Sequence, residues 1–167
     1  MNVDYYPIMV PVAETIRKKA DIIFVLLCSD YNDTPGNTDT IVNIINSDLP
    51  EDFEADLGSI NVLFINHKII VLGGLGLKSE VTKEILKEVL NKMVQVRELQ
   101  WVLQDNPILM IYAHDQMKAH IESIRDSIYE LNGIHKMNVM VRQQRDETSH
   151  VTVDAVTDLF RHVFIAQ

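Results

Sequence analysis

Cysteine is almost missing from this chain: Cys28 is one residue in 167, which excludes an internal disulfide. Its setting in the apolar run Ile22–Leu27 reads as a buried, inert thiol rather than a nucleophile. No apolar run approaches the roughly 20 residues that cross a bilayer. Asp4 stands where a secretory leader would carry positive charge. The expectation is a cytoplasmic protein. Basic stripes with interleaved aromatics are also missing, and residues 29–58 hold eight acids without one Lys or Arg. Such a segment repels a phosphate backbone, so nucleic-acid binding is not expected, nor is a membrane partner. What is present is globular composition, 47% hydrophobic and 23% charged with a net charge of −9. The chain reads as one acidic α/β domain over 1–167, without internal repeats or low-complexity stretches.

Residues 1–12, apolar with Pro7 and Pro11, suit an extended arm or an edge strand. Ala13–Ala20 suits a short helix ending in Arg17, Lys18 and Lys19, and Asp39–Asn46 another. Asp21–Cys28 is a continuous β-rich run, as expected of a central strand covered on both faces. Ile60–Ile65 and Lys68–Leu72, separated by Asn66-His67, read as a tight hairpin. A helix capped by Ser79 is predicted next, with Val81, Ile85, Val89, Met93 and Val96 as its stripe, running to about Val102. Ile108–Tyr112 reads as a strand. Asp115 can cap a helix with Met117, Ile121, Ile124, Ile128 and Leu131 on one face and Asn132-Gly133 at its end. Met137–Val141 and Val151–Val153 look strand-like. Asp154 can cap a last helix carrying Val156, Leu159, Phe160 and Val163. The alternation predicts a three-layer α/β sandwich, with a mixed, mostly parallel sheet between helices.

The stretch Ile69-Ile70-Val71-Leu72-Gly73-Gly74-Leu75-Gly76 reads as a strand entering a glycine turn before a helix, a place where α/β proteins put phosphates. Neither the dinucleotide glycine spacing nor a Gly-Lys-Ser/Thr P-loop is present. Close strand–helix packing is therefore the stronger reading of Gly73, Gly74 and Gly76. The loop Asp30–Asp39 is rich in oxygen ligands, but its twelfth position is Ile41, where a calcium loop needs a carboxylate. The six histidines make no zinc spacing, and neither Ser149-His150 nor Ser123 has elbow glycines around it. No metal, cofactor or catalytic residue is expected.

Residues 20–112 resemble the N-terminal domain of the leucyl aminopeptidase family. The likeness rests on the strand Asp21–Cys28, the acidic segment after it, and Val71-Leu72-Gly73-Gly74-Leu75-Gly76-Leu77-Lys78 before a helix. The resemblance implies a macro-like α/β fold that serves assembly rather than chemistry. The family's metal-binding Asn-Thr-Asp-Ala-Glu-Gly-Arg motif has no counterpart, since Asn37-Thr38-Asp39 continues Thr40-Ile41-Val42. No peptidase residue carries over. The first expectation is thus a non-catalytic interaction module with a protein partner or a second copy of itself. The alternative is a macro-like domain binding ADP-ribose or another nucleotide diphosphate. Gly73, Gly74 and Gly76 would then cradle phosphate near Ser79, with Asp21 or Asp30 toward the ribose or adenine.

Overall fold

The computed structural model describes residues 2–6, 18–31, 45, 48–113, 120, 122–131 and 160–166. Its centre is β2 (Ile22–Leu27), six β-branched, leucine and aromatic residues that are all fully buried. On one side β2 pairs in parallel with β4 (Lys68–Gly74), on the other with β5 (Ile108–Ala113). Beyond β4 lies β3 (Ile60–Ile65), the one antiparallel strand among the described residues; beyond β5 lie β6 (His162–Ala166) and β1 (Asn2–Tyr6), both parallel. The sheet order is β1-β6-β5-β2-β4-β3. This is the mixed, mostly parallel α/β sheet that the alternation of patterns predicts.

Side-chain alternation along β2 feeds two cores. Ile22, Phe24 and Leu26 face one, joined by Ile69 and Val71 of β4 and by Leu109 and Ile111 of β5. Ile23, Val25 and Leu27 face the other, with Ile70, Leu72, Met110 and Tyr112. The first core is closed by α1 (Lys83–Val94), through Leu86, Val89, Leu90 and Met93, and by α3 (residues 122–131), through Ile124 and Ile128. Exposed ion pairs, Lys83–Asp126 at 3.6 Å and Lys87–Glu130 at 2.5 Å, stitch these two helices side by side. The Lys87 ammonium holds the Glu130 carboxyl below its ordinary range, chiefly by its hydrogen bond. The second core is closed by Ala20, Tyr31, Ile45, Phe53 and Ala55.

Several boundaries differ from the sequence reading. Thr82, not Ser79, caps α1: its hydroxyl accepts from the Ile85 N–H at 3.3 Å, while Lys78–Glu80 form a separate 3-10 turn. Val81 is buried all the same, so an apolar stripe extended the apparent helix past its true start. The helix also ends at Val94; a 3-10 turn (Arg97–Leu99) and the single-turn α2 (Gln100–Leu103) replace the expected last turns. Val163 lies in β6 rather than on a final helix, because the burial demanded by a sheet interior and by a helix stripe look alike over so few residues. The hairpin is as expected: Asn66 and His67 both take positive φ, 50° and 64°, the paired left-handed residues of a two-residue turn. The elements expected over residues 7–17, 32–44, 46, 115–119, 121 and 132–159 lie outside the described residues.

The cap assignment is testable. Thr82→Ala should lower unfolding free energy by about 1 kcal/mol, and Ser79→Ala should leave it unchanged in denaturant melts.

Candidate functional site

In an open parallel sheet, ligands gather beyond the carboxyl ends of the strands. Here that edge is formed by Cys28–Tyr31 after β2 and Leu75–Ser79 after β4. The two segments are tied to each other by backbone: Leu75 N–H donates to Leu27 O at 2.8 Å, and Ser29 N–H to Gly76 O at 2.8 Å. Asp30 accepts from the Lys78 N–H at 3.3 Å. A third segment, residues 55–59, closes over both. Gly76 N–H donates to Ala55 O at 3.1 Å, Gly74 N–H to Ser59 O at 2.9 Å, and Gly58 N–H to Gly74 O at 3.0 Å. Two consecutive residues, Gly58 and Ser59, thus oppose the single residue Gly74, which is a β-bulge at the start of β3.

The three glycines therefore do different work. Gly73 and Gly74 are not a turn; they are the last residues of β4. A Cβ on Gly73 would lie 2.6 Å from Met93 Sδ and 3.1 Å from Val89 Cγ1, so its bareness lets α1 press onto the sheet. A Cβ on Gly74, on the opposite face, would lie 2.2 Å from Asp56 O and 2.7 Å from the carbonyl carbon of Ala55. There the neighbour is backbone, which cannot swing aside. Only Gly76, at φ +71°, needs the left-handed conformation. Ala55 at φ 58° and Gly58 at φ 81° answer it across the gap, so the closing loop is itself bent into unusual backbone. Of the expected phosphate donors, the N–H groups of Gly74 and Gly76 are already given to carbonyls of this chain.

The remaining expected residues do not converge. Asp21 sits at the opposite end of β2 from the glycines, about 20 Å away at a strand's rise per residue. Its Oδ2 accepts from the Ile108 N–H at 2.9 Å, its N–H donates to Ile108 O, and its carbonyl accepts from Ile69 N–H. It clasps the starts of β2, β4 and β5 together. Asp30 does lie at the glycine end, half-buried, and Ser79 is exposed in the 3-10 turn beyond Lys78. Cys28 is buried beneath them, and its thiol is pushed up to about 11, first by burial and then by the Asp30 charge, with Lys78 opposing. Such a thiol stays protonated and unreactive at neutral pH. The sequence reads Asp48–Gly58 as an acidic surface connection and gives no sign that its backbone closes over the glycines. Its acceptors are main-chain carbonyls, and only the Gly58-Ser59 pair gave any hint of a special backbone there. Among the described residues, no cluster of three metal-ligating side chains forms, and no helix is long and apolar enough to cross a membrane.

No family model matches the sequence, and no curated protein matches it. Among solved structures, a tomato leucine aminopeptidase mutant aligns weakly with it, at TM-score 0.45 and 12% identity. That alignment covers 100% of this chain and 32% of the other, so the chain spans about a third of that enzyme's length. A leucine aminopeptidase is thus a weak structural neighbour of the chain.

Two outcomes follow from this geometry. Gly74→Ala should cost about 1–3 kcal/mol through overpacking and more than Gly73→Ala, where Met93 can yield; paired denaturant titrations measure the difference. For Cys28 the folded thiol holds its proton above the ordinary value of 9.0, up to about 11. The unfolded chain releases its proton first as pH rises, so wild-type stability should fall between about pH 9 and 11 relative to Cys28→Ala. Melting temperatures of both proteins across that range provide the check.

Proposed function

We propose that this chain is a non-catalytic assembly module, of the kind the leucyl aminopeptidase N-terminal domain represents, which acts by binding a protein partner or a second copy of itself. The observation that carries the reading is apolar surface left open to water. Trp101 is 79% exposed on α2 and Phe64 is 68% exposed on β3, with Leu57 and Leu77 also open beside the strand ends. A side chain of this size gains apolar burial when a docked partner covers it. The strand-end glycines support the same reading, because their bareness serves close packing and their donors are spent on the 55–59 loop. The residue pattern shared with the aminopeptidase N-terminal domain, from Asp21–Cys28 to Leu75-Gly76-Leu77-Lys78, points the same way. Nucleotide binding would instead need the N–H groups of Gly74 and Gly76 to leave Ser59 and Ala55.

Trp101 is the single tryptophan of the chain, so its emission reports on contact directly. Iodide quenching should be strong at low protein concentration and weaken as sedimentation shows assembly, or on mixing with a partner. Calorimetry with ADP-ribose should be silent at millimolar ligand. A chain that sediments as a monomer, binds no protein, and takes up ADP-ribose at micromolar concentration would refute the assembly reading.

A further inference from the structure

Sheets with an open edge usually protect it with charge, proline or a covering segment. The β3 edge carries none of the first two: Ile60-Asn61-Val62-Leu63-Phe64-Ile65 has no charged residue and no proline. Among the described residues no strand lies beyond it. The two-residue turn makes Ile65 and Lys68 a hydrogen-bonded pair, and the alternation then turns Asn61, Leu63 and Ile65 toward β4. The Gly74 N–H donating to Ser59 O keeps the same parity. The main-chain N–H and C=O groups of Ile60, Val62 and Phe64 therefore point outward.

We propose that this edge pairs with the same edge of a second copy of the chain, antiparallel about a two-fold axis at Val62; the proposal rests on the assembly reading above and names its surface. The outward groups are self-complementary in that register. Val62 pairs with the second copy's Val62, and Ile60 and Phe64 pair reciprocally, as an isologous interface requires. Phe64, exposed in the single chain, then lies over the second copy's Ile60, which packs at the margin of the α1-side core. Charge complementarity selects this occupant. The hairpin end of β3 carries exposed His67, with exposed Lys18 and Lys19 behind it, since Lys68 Nζ donates to the carbonyls of Lys18, at 3.2 Å, and of Ala20. The other end carries exposed Glu54 and Asp56, partly countered by Lys92 beside Gly58. Antiparallel pairing sets the basic end of each copy against the acidic end of the other. It also holds the two acidic segments about 20 Å apart, well beyond the ~8 Å screening length, so the net charge of −9 does not prevent association.

The test uses the full chain and sedimentation over a wide concentration range, with circular dichroism melts to confirm folding. Val62→Pro removes an N–H that the hairpin does not use, and Phe64→Lys adds charge at an exposed position that tolerates it; the second keeps the test open if the first unfolds. Both should weaken a wild-type dimer at least tenfold, whereas Glu122→Gln, exposed on α3 away from the edge, should leave its dissociation constant unchanged. Val62→Cys should form a disulfide-linked dimer on oxidation, and Asn61→Cys, which this register does not place opposite itself, should not. A wild-type monomer at every concentration overturns the pairing. So does an oligomer with the same dissociation constant in Phe64→Lys, but that result leaves the assembly reading standing.

Discussion

Every side chain of β2 is shut off from water on both faces, and this one strand dictates the layout around it. A strand of Ile, Phe, Val and Leu with no polar side has no solvated face to offer, so both of its faces must be covered. Fully burying six such side chains is worth roughly 1.5–3 kcal/mol each against leaving them exposed. Both of its edges must be covered as well, because buried N–H and C=O groups without partners cost more than the strand can supply. β4 and β5 meet that demand in parallel register. Parallel register in turn requires each strand to return through a crossover, which supplies α1 between β4 and β5. Asp21 closes the lower end of this trio with its side chain and main chain together, so the ladder begins in register.

At the upper end the constraint is reversed, because three backbones crowd one another where β4 stops. Gly73 admits α1 on one face and Gly74 admits the 55–59 loop on the other. A single methyl group on Gly74 would meet a carbonyl oxygen, so the loop's approach depends on that residue being bare. The loop answers with unusual backbone at Ala55 and Gly58, and left-handed alanine is unfavourable by roughly 1–2 kcal/mol. That strain is offset by the hydrogen bonds to Gly74 and Gly76 and by burial of Phe53 and Ala55 in the second core. A glycine-rich strand end of this kind can look like an anion cradle in sequence while its donors are turned inward.

What could be read in advance followed from periodicity, and what could not followed from contacts between distant segments. β2, the hairpin and β5 announced themselves through apolar runs and an Asn-led two-residue turn, and their observed bounds lie within a residue or two of the expected ones. The α1 start was displaced because Val81 is buried for a reason unrelated to helix geometry, and Thr82 then offers a hydroxyl as good as that of Ser79. Val163 reads as helix in sequence because a five-residue strand shares its apolar content with one helical turn. The candidate site fared worse. Gly73 and Gly74 stand out in the sequence, but whether a glycine bends the chain or merely makes room is decided by what arrives from elsewhere. Nothing local to them encodes the carbonyl of Asp56. Asp21 and Asp30 looked equivalent as acids flanking one strand, yet flanking a strand means standing at its two ends. No single site can use both.

The edges of the sheet show where the remaining freedom lies. Closing the strand ends with main-chain hydrogen bonds spends the polar groups there, and burying Cys28 removes its thiol from chemistry at neutral pH. On the β3 side the polar groups of alternate residues are left facing outward, in a strand that carries no charge to protect them. β3 is held in register from both sides, with Leu63 and Ile65 against the second core and Ile60 and Val62 against the first, while Phe64, on the face of Ile60 and Val62, stays exposed. A one-residue slip would turn each pair toward the other core and lose both sets of contacts. The exposure of Phe64 is thus a consequence of register that the fold cannot relieve internally. An added strand relieves it, since it supplies the missing hydrogen-bond partners and an apolar neighbour in a single step.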